Sequence, residues 1–241
     1  MHRFFVEQNL DIGGATVKSP ELAHQLHTVL KVKSGEEVAL FCAEPHQGAG
    51  WDFVFRISKI GKGSVEGAII EKIKNDREPK FLLTLYQSIL KKDNFEWILQ
   101  KGAEIGVAEF VPVVSARSVK TRLNHMRARK ILKEAAEQSG RAILPALTRE
   151  MDFYAALQEA KAAGGLLVFA HEKEMAQKID SLPLSGQMLH LFIGPEGGFS
   201  EEEAAKARAT GCFAVSLSRR TLRAETAAIA ASYFLLHRFG Y

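Results

Sequence analysis

A chain of 241 residues with 46% hydrophobic side chains can fill a substantial core, which excludes disorder as a description and allows either one large domain or two unequal ones. The net charge of +4, with an isoelectric point near 9.0, is a modest excess whose meaning depends on where it sits. The two cysteines, Cys42 and Cys212, lack Cys-x-x-Cys spacing, so a disulfide framework and a zinc site are excluded, a reducing compartment is expected, and no metal is expected.

The opening Met1-His-Arg-Phe-Phe-Val6 has neither the apolar stretch nor the cleavage site of a signal peptide, and no later apolar run reaches membrane-spanning length. A cytoplasmic protein without a membrane partner is expected. Residues 4–6, 37–42, 51–60 and 64–70 read as short strands separated by Gly, Pro and Asn, with Gly48, Gly50, Gly61 and Gly63 marking turns. A short helix over 20–30 is capped by Ser19 and opens on Pro20. Residues 1–73 therefore read as a small β-barrel. The polar stretch from Lys72 to Pro79 reads as a linker, with 74–79 as its span between domains.

From residue 80 the pattern changes to alternating strands and helices. A strand over 81–86 precedes a helix that Asp93 and Glu96 would open as a capping box and Gly106 would end. A strand over 109–114 follows, then a helix over 124–139 with the apolar stripe Ala128, Ile131, Leu132, Ala135 and Ala136. Between Glu109 and Glu134 there is no acidic residue, while Arg117, Lys120, Arg122, Arg127, Arg129, Lys130 and Lys133 fall in that interval. Such a block argues for an anionic polymer as partner, with a solvated helix face as the alternative. Next come a helix over 151–162 and strands over 166–171 and 188–193. A helix capped by Ser200 and Glu203 and ended by Gly211, a strand over 213–217 and a closing helix over 225–238 complete the chain. Short apolar strands joined through helices imply an α/β fold with a mostly parallel sheet covered on both faces.

Two segments carry chemistry. In Leu191-Phe-Ile-Gly-Pro-Glu-Gly-Gly-Phe-Ser200 a buried strand runs into a glycine turn and then a capped helix, the usual place for a ligand beyond the carboxyl end of a parallel strand. Neither Gly-x-Gly-x-x-Gly nor Gly-Lys-Ser/Thr is present, so a classical dinucleotide site and an ATP phosphate loop are unsupported. In Val215-Ser-Leu-Ser-Arg-Arg-Thr-Leu-Arg-Ala-Glu-Thr-Ala227, Arg219, Arg220 and Arg223 gather just before a helix, where RNA phosphate or a developing negative charge would answer them. His171 and His190 lie in expected strands and read as structural.

Together these segments resemble the signature of the ribosomal small subunit RNA methyltransferase E family. The resemblance extends to His2-Arg-Phe-Phe-Val6, to residues 24–41, to residues 87–118 with Gln100-Lys-Gly-Ala-Glu-Ile-Gly-Val107, and to Lys133-Glu-Ala-Ala-Glu-Gln-Ser-Gly-Arg141. It implies a PUA-like N-terminal barrel for RNA and a C-terminal domain, over 80–241, of the SPOUT class with a trefoil knot. It further implies a homodimer and methylation by S-adenosylmethionine of N3 of a uridine in 16S ribosomal RNA, naked or within the 30S subunit. Three departures stand out: Ser218 where glycine is usual, Thr221 where a larger aliphatic residue is usual, and a longer segment from Cys42 to Trp51.

On that resemblance, Gly194, Pro195, Glu196, Gly197, Leu217, Ser218, Leu222 and Thr226 are expected to hold the cofactor. A guanidinium near a uracil oxygen would stabilise the anion formed when N3 loses its proton, which makes Arg223 the first candidate and Arg220 the second, with Glu225 as a candidate proton acceptor. Arg3, His24, Lys31, Arg117, Arg122, Arg127 and Arg129 are expected RNA contacts. A ribose 2′-hydroxyl methyltransferase of the same knotted class and a non-catalytic RNA-binding assembly protein are the alternatives.

Overall fold

Residues 1–42, 50–91, 93–172, 174, 177–183 and 188–240 are described in the computed structural model. They form two units, Met1–Glu78 with Ala136–Leu144, and Pro79–Ala135 with Pro145–Tyr241. The expected turn at Gly48 and most of the long segment between Cys42 and Trp51 lie outside the described residues.

The first unit is built on strands β1 (Arg3–Val6), β2 (Gly13–Lys18), β3 (Glu37–Cys42), β4 (Gly50–Ile60) and β5 (Ser64–Asn75), in the order β1-β3-β4-β5-β2. β1 runs parallel to β3 and the other neighbours are antiparallel, with irregularities in β4 at Val54/Phe55 and Ile57/Lys59. Phe4, Leu26, Leu40, Phe53, Phe55 and Ile69 form its core. The Ser19 hydroxyl accepts from the Leu22 amide and opens α1 (Pro20–His24), as the sequence predicts. The helix then widens into a π-helical turn over Gln25–Val29, which keeps Leu26 fully buried, and Lys31 takes a left-handed φ of 54°. β2 has no counterpart in the sequence reading, because of its six residues only Val17 is buried.

The expected linker is largely built into this unit. β5 runs on to Asn75, which is buried and donates to Asp52 Oδ2 and to the Gly140 carbonyl, both at 3.1 Å. The Glu78 carboxylate accepts from the Arg141 guanidinium at 2.6 Å and from the amides of Ala142 and Ile143. Arg3, expected at RNA, is taken up by the fold. Its guanidinium meets Asp52 at 2.7 Å, lies 3.8 Å from the Phe41 ring centroid and donates to the Ala136 carbonyl. Polar residues that look like a solvated connector are thus partners of a segment some sixty positions away, which no local pattern reveals.

The second unit contains β6 (Leu82–Ser88), α2 (Asn94–Ile105), β7 (Glu109–Val114), α3 (His125–Ser139), β8 (Ala146–Leu147), β9 (Met151–Asp152), α4 (Phe153–Ala163), β10 (Leu166–Ala170), β11 (Met188–Ile193), α5 (Glu201–Thr210), β12 (Phe213–Val215) and α6 (Ala224–Phe239). The end of α3, from Ala136, belongs to the first unit. Seven strands form a wholly parallel sheet in the order β12-β10-β11-β6-β7-β8, with β9 also on β7. α4 and α5 cover one face over Tyr86, Val111, Val113, Phe169 and Phe192. α2 lies on the other face, close enough that a Cβ at Gly102 would fall 2.7 Å from the Phe110 ring, and α6 packs beside it over β6 and β11.

Helix boundaries show which caps form. The Ser200 hydroxyl accepts from Glu203 N and the Glu203 carboxylate from Ser200 N, a complete capping box, and α5 ends on left-handed Gly211. α2 does end on left-handed Gly106, but Asp93 makes no capping bond and Glu96 pairs with Arg127 instead. The helix expected from 151 starts two residues later, because Met151–Asp152 pairs with β7 and Asp152 caps α4.

Candidate active site

All seven strands of the second sheet point one way, so the loops leaving β10, β11 and β12 share one edge. A cavity of about 560 Å³ opens there, within the range of small-molecule sites.

The loop after β11 is shaped by its glycines. Leu191, Phe192 and Ile193 are buried, and at Gly194 a Cβ would approach both the Phe199 ring and the Phe199 amide to 3.1 Å. Gly198, at φ +66°, donates its amide to the Pro195 carbonyl and closes the turn. Phe199 anchors the far end by stacking on Phe169, with centroids 4.6 Å apart. The Glu196 carboxylate accepts from the Lys91 amide at 3.0 Å, which ties this loop to the one after β6.

The loop after β12 is fastened to the loop after β10. Ser216 N donates to the Gln177 carbonyl at 2.8 Å, and His171 N to the Val215 carbonyl at 3.0 Å. Ser218 accepts from the Arg220 amide through its hydroxyl, and Ser216 Oγ donates to the Ser218 carbonyl. Among the described non-glycine residues only Lys31 has a positive φ, so the serine at 218 sits in backbone that any residue adopts.

Of the expected cofactor residues, the structure brings Gly194, Pro195, Glu196, Leu217, Ser218 and Leu222 to the cavity lining. Gly197 and Thr226 are outside it; the Gly197 carbonyl instead accepts from Arg117 Nη1 at 2.7 Å, and Thr226 is exposed on the first turn of α6. Arg220 lines the cavity. Arg223 does not: it is the exposed residue before α6, making no side-chain cap, and Glu225 lies in the first turn of that helix, also off the lining.

The sequence reading missed the third wall. Ala170, which ends β10, and His171, Glu172, Glu174 and Lys178, which follow it, line the cavity, and the nearly buried His171 ring stacks on Phe169. The rule that singled out the loop after β11, a loop at the carboxyl end of a parallel strand, would have found them. Three carboxylates, Glu172, Glu174 and Glu196, and three cations, Lys178, Arg219 and Arg220, are set among the apolar walls Ile193, Phe199, Leu217 and Leu222. The cavity thus suits a ligand with an apolar ring and polar or charged ends.

The remaining cations divide by environment. His24 and Lys31 are exposed in the first unit; in the second, Arg117, Arg122 and Arg129 are exposed, while Arg127 is engaged by Glu96 at 2.7 Å. Among the described residues no group of three or more His, Cys, Asp or Glu is placed to share a metal ion, and no helix is long and apolar enough to cross a membrane.

Comparison with known proteins gives this arrangement its context. Residues 77–236 match the family described as RNA methyltransferase domain. The ribosomal RNA small subunit methyltransferase E of Bacillus subtilis is 30% identical over 94% of this chain and 93% of its own length, and that of Mesomycoplasma hyopneumoniae is 34% identical over 73% and 78%. The crystal structure of a ribosomal RNA small subunit methyltransferase E from Neisseria gonorrhoeae bound to S-adenosyl methionine superposes with a TM-score of 0.89 at 30% identity, covering 100% of this chain and 98% of that one. A methyltransferase from Legionella pneumophila in complex with the same cofactor gives 0.89 at 29% identity, covering 99% and 98%. With a family match across two thirds of its length and relatives of one name aligned along nearly all of it, the chain belongs to the ribosomal RNA small subunit methyltransferase E family.

Proposed function

We propose that this protein transfers the methyl group of S-adenosylmethionine to N3 of a uridine in 16S ribosomal RNA. The observation that carries the reading is the glycine-bounded cavity at the ends of β10, β11 and β12, edged by Arg219 and Arg220, in a chain that shares its fold with S-adenosylmethionine-bound relatives. The residues present fit that cofactor. Ile193, Leu217 and Leu222 offer apolar walls for an adenine ring, the backbone at Gly194 and Gly198 is open to direct contact, and Glu172 and Glu196 offer carboxylates to hydroxyl or ammonium groups. When bound, the cofactor supplies a methyl group already activated on a sulfonium.

The protein's part is then to position the base and stabilise its anion. Arg220, one of three cations at the cavity, is assigned to the uracil oxygens, with Arg223, three residues further along the chain, as the second candidate. Glu225 occupies the first turn of α6, where a carboxylate complements the helix dipole, and stands as the candidate proton acceptor. His24 and Lys31 on one unit and Arg117, Arg122 and Arg129 on the other are the RNA contacts of this reading.

The first unit, Met1–Glu78 with Ala136–Leu144, is read as a PUA-like barrel, and the second as a knotted SPOUT domain. In that domain the β10–β11 and β12–α6 loops are tied to each other, and Arg238 of α6 donates to the carbonyls of Ile179, Asp180 and Leu182. A homodimer acting in the cytoplasm completes the reading, and sedimentation at micromolar concentration checks the dimer.

The deciding experiment offers ribosomal RNA from cells lacking this gene, naked and as 30S subunits, to the protein with radiolabelled S-adenosylmethionine, and identifies the product nucleoside by mass. N3-methyluridine at one position is expected; a ribose-methylated product would move the protein to the neighbouring class. Arg220→Ala should lower kcat by about a hundredfold or more while leaving cofactor affinity within about threefold. Equal losses in both would remove Arg220 from this role.

A further inference from the structure

The loop between β7 and α3, which begins the acid-free basic stretch, is fastened at both ends by a carboxylate. At its start Glu203, only 7% exposed, uses both oxygens: Oε2 accepts from Ser200 N at 2.7 Å and Oε1 from Ala116 N at 2.8 Å. One side chain therefore joins the segment leaving the cavity loop to the first residues of the basic loop. Arg117 reinforces the joint through its 2.7 Å bond to the Gly197 carbonyl, and Ser115 and Ser118 bond to each other across the turn. At the far end Glu150 accepts from Leu123 N at 2.7 Å and meets His125 Nε2 at 3.0 Å, fixing the first residue of α3. Between these points Lys120 and Arg122 are exposed, and Val119 is 70% exposed.

Capping α5 needs only one oxygen of Glu203. The second, spent on a backbone amide 87 positions away, matters for where the basic loop stands. Cations held in place before binding lose less conformational freedom when they meet a phosphate backbone. We infer that Glu203 and Glu150 are positioning residues that hold the 116–123 loop as a preformed grip for RNA backbone beside the cavity, with Glu203 linking that grip to the cavity loop. The inference rests on the RNA substrate proposed above.

The test compares Glu203→Gln and Glu150→Gln with Ser200→Ala, which weakens the cap of α5 without touching Ala116. Each protein is assayed for kcat and KM on naked 16S ribosomal RNA, for affinity to S-adenosylmethionine, and for hydrogen exchange of the amides at 116 and 123. Glu203→Gln should speed exchange at Ala116 and raise the RNA KM about tenfold, the loss of one charge-assisted hydrogen bond, with kcat and cofactor affinity within about threefold. Glu150→Gln should do the same through Leu123, and it decides the matter if Glu203→Gln does not fold. Ser200→Ala should keep the RNA KM within about twofold. An unchanged RNA KM in both glutamine variants, unchanged exchange at both amides, or an equal rise in Ser200→Ala overturns the inference while leaving the proposed function intact. A wild-type protein that neither binds nor methylates ribosomal RNA overturns both.

Discussion

Arg3 is held by a carboxylate, an aromatic ring and a carbonyl at once, so removing its guanidinium leaves the half-buried Asp52 without its cation and with the neutral Asn75 amide as donor. Arg3→Met should cost about 3 kcal/mol of stability in urea titration and leave ribosomal RNA affinity unchanged. A loss of affinity at full stability would return Arg3 to the RNA surface. His190 gives a pH signature. Burial holds its pKa below 6.5, outweighing the raising effects of the Gly164 carbonyl, 2.8 Å from Nε2, and of Glu159. The unfolded chain therefore binds a proton below about pH 6.5 that the folded ring refuses, and this contribution to stability is full above that pH and falls as the pH drops. His190→Gln should flatten the decline below about pH 6.5 in denaturant titrations, and an undiminished slope would assign it elsewhere. At this scale, residue type and neighbourhood in sequence point to the two loops that meet at the cavity, after β11 and after β12. They do not reveal the partners of Arg3 and Arg127, acidic residues 49 and 31 positions distant.

Helices α2 and α5 both carry the acidic or hydroxyl residue followed three places later by Glu that marks a capping box, and only α5 builds it. The difference is measurable. Ser200→Ala should cost about 1 kcal/mol, whereas Asp93→Ala should cost less than about 0.5 kcal/mol, by urea denaturation. Comparable losses would mean that Asp93 caps α2 in solution. Elements marked by unbroken apolar runs or by complete caps, such as β3, β7, β11 and α5, are legible to within a residue because their own side chains set them. β8 and β9 are not. Two residues carry no period, and these strands exist because β7 has a free edge to which they attach. The overlong reading of the helix at 151 has the same origin, since Met151 and Asp152 are claimed by β7 before the helix can start.

At the scale of the molecule, the switch from strand-rich to alternating patterns reveals two architectures, but not that the first unit is discontinuous in the chain. Asn75, Glu78 and Arg3 all find partners within Ala136–Leu144. A fragment ending at Glu78 should therefore lack a cooperative unfolding transition by circular dichroism, because it leaves buried polar groups unanswered. A sharp transition at the stability of the whole protein would show that the added segment is dispensable. The cavity likewise depends on late residues, all three of its walls following Leu166. This chain order imposes a timetable on biosynthesis. With elongation at ~5–20 residues per second, the nascent first unit waits roughly several seconds for its closing segment, and β6 waits longer for β11, with apolar sheet surface uncovered meanwhile. Yield in the cell should accordingly respond to translation speed and chaperone supply more strongly than the finished protein's stability would suggest.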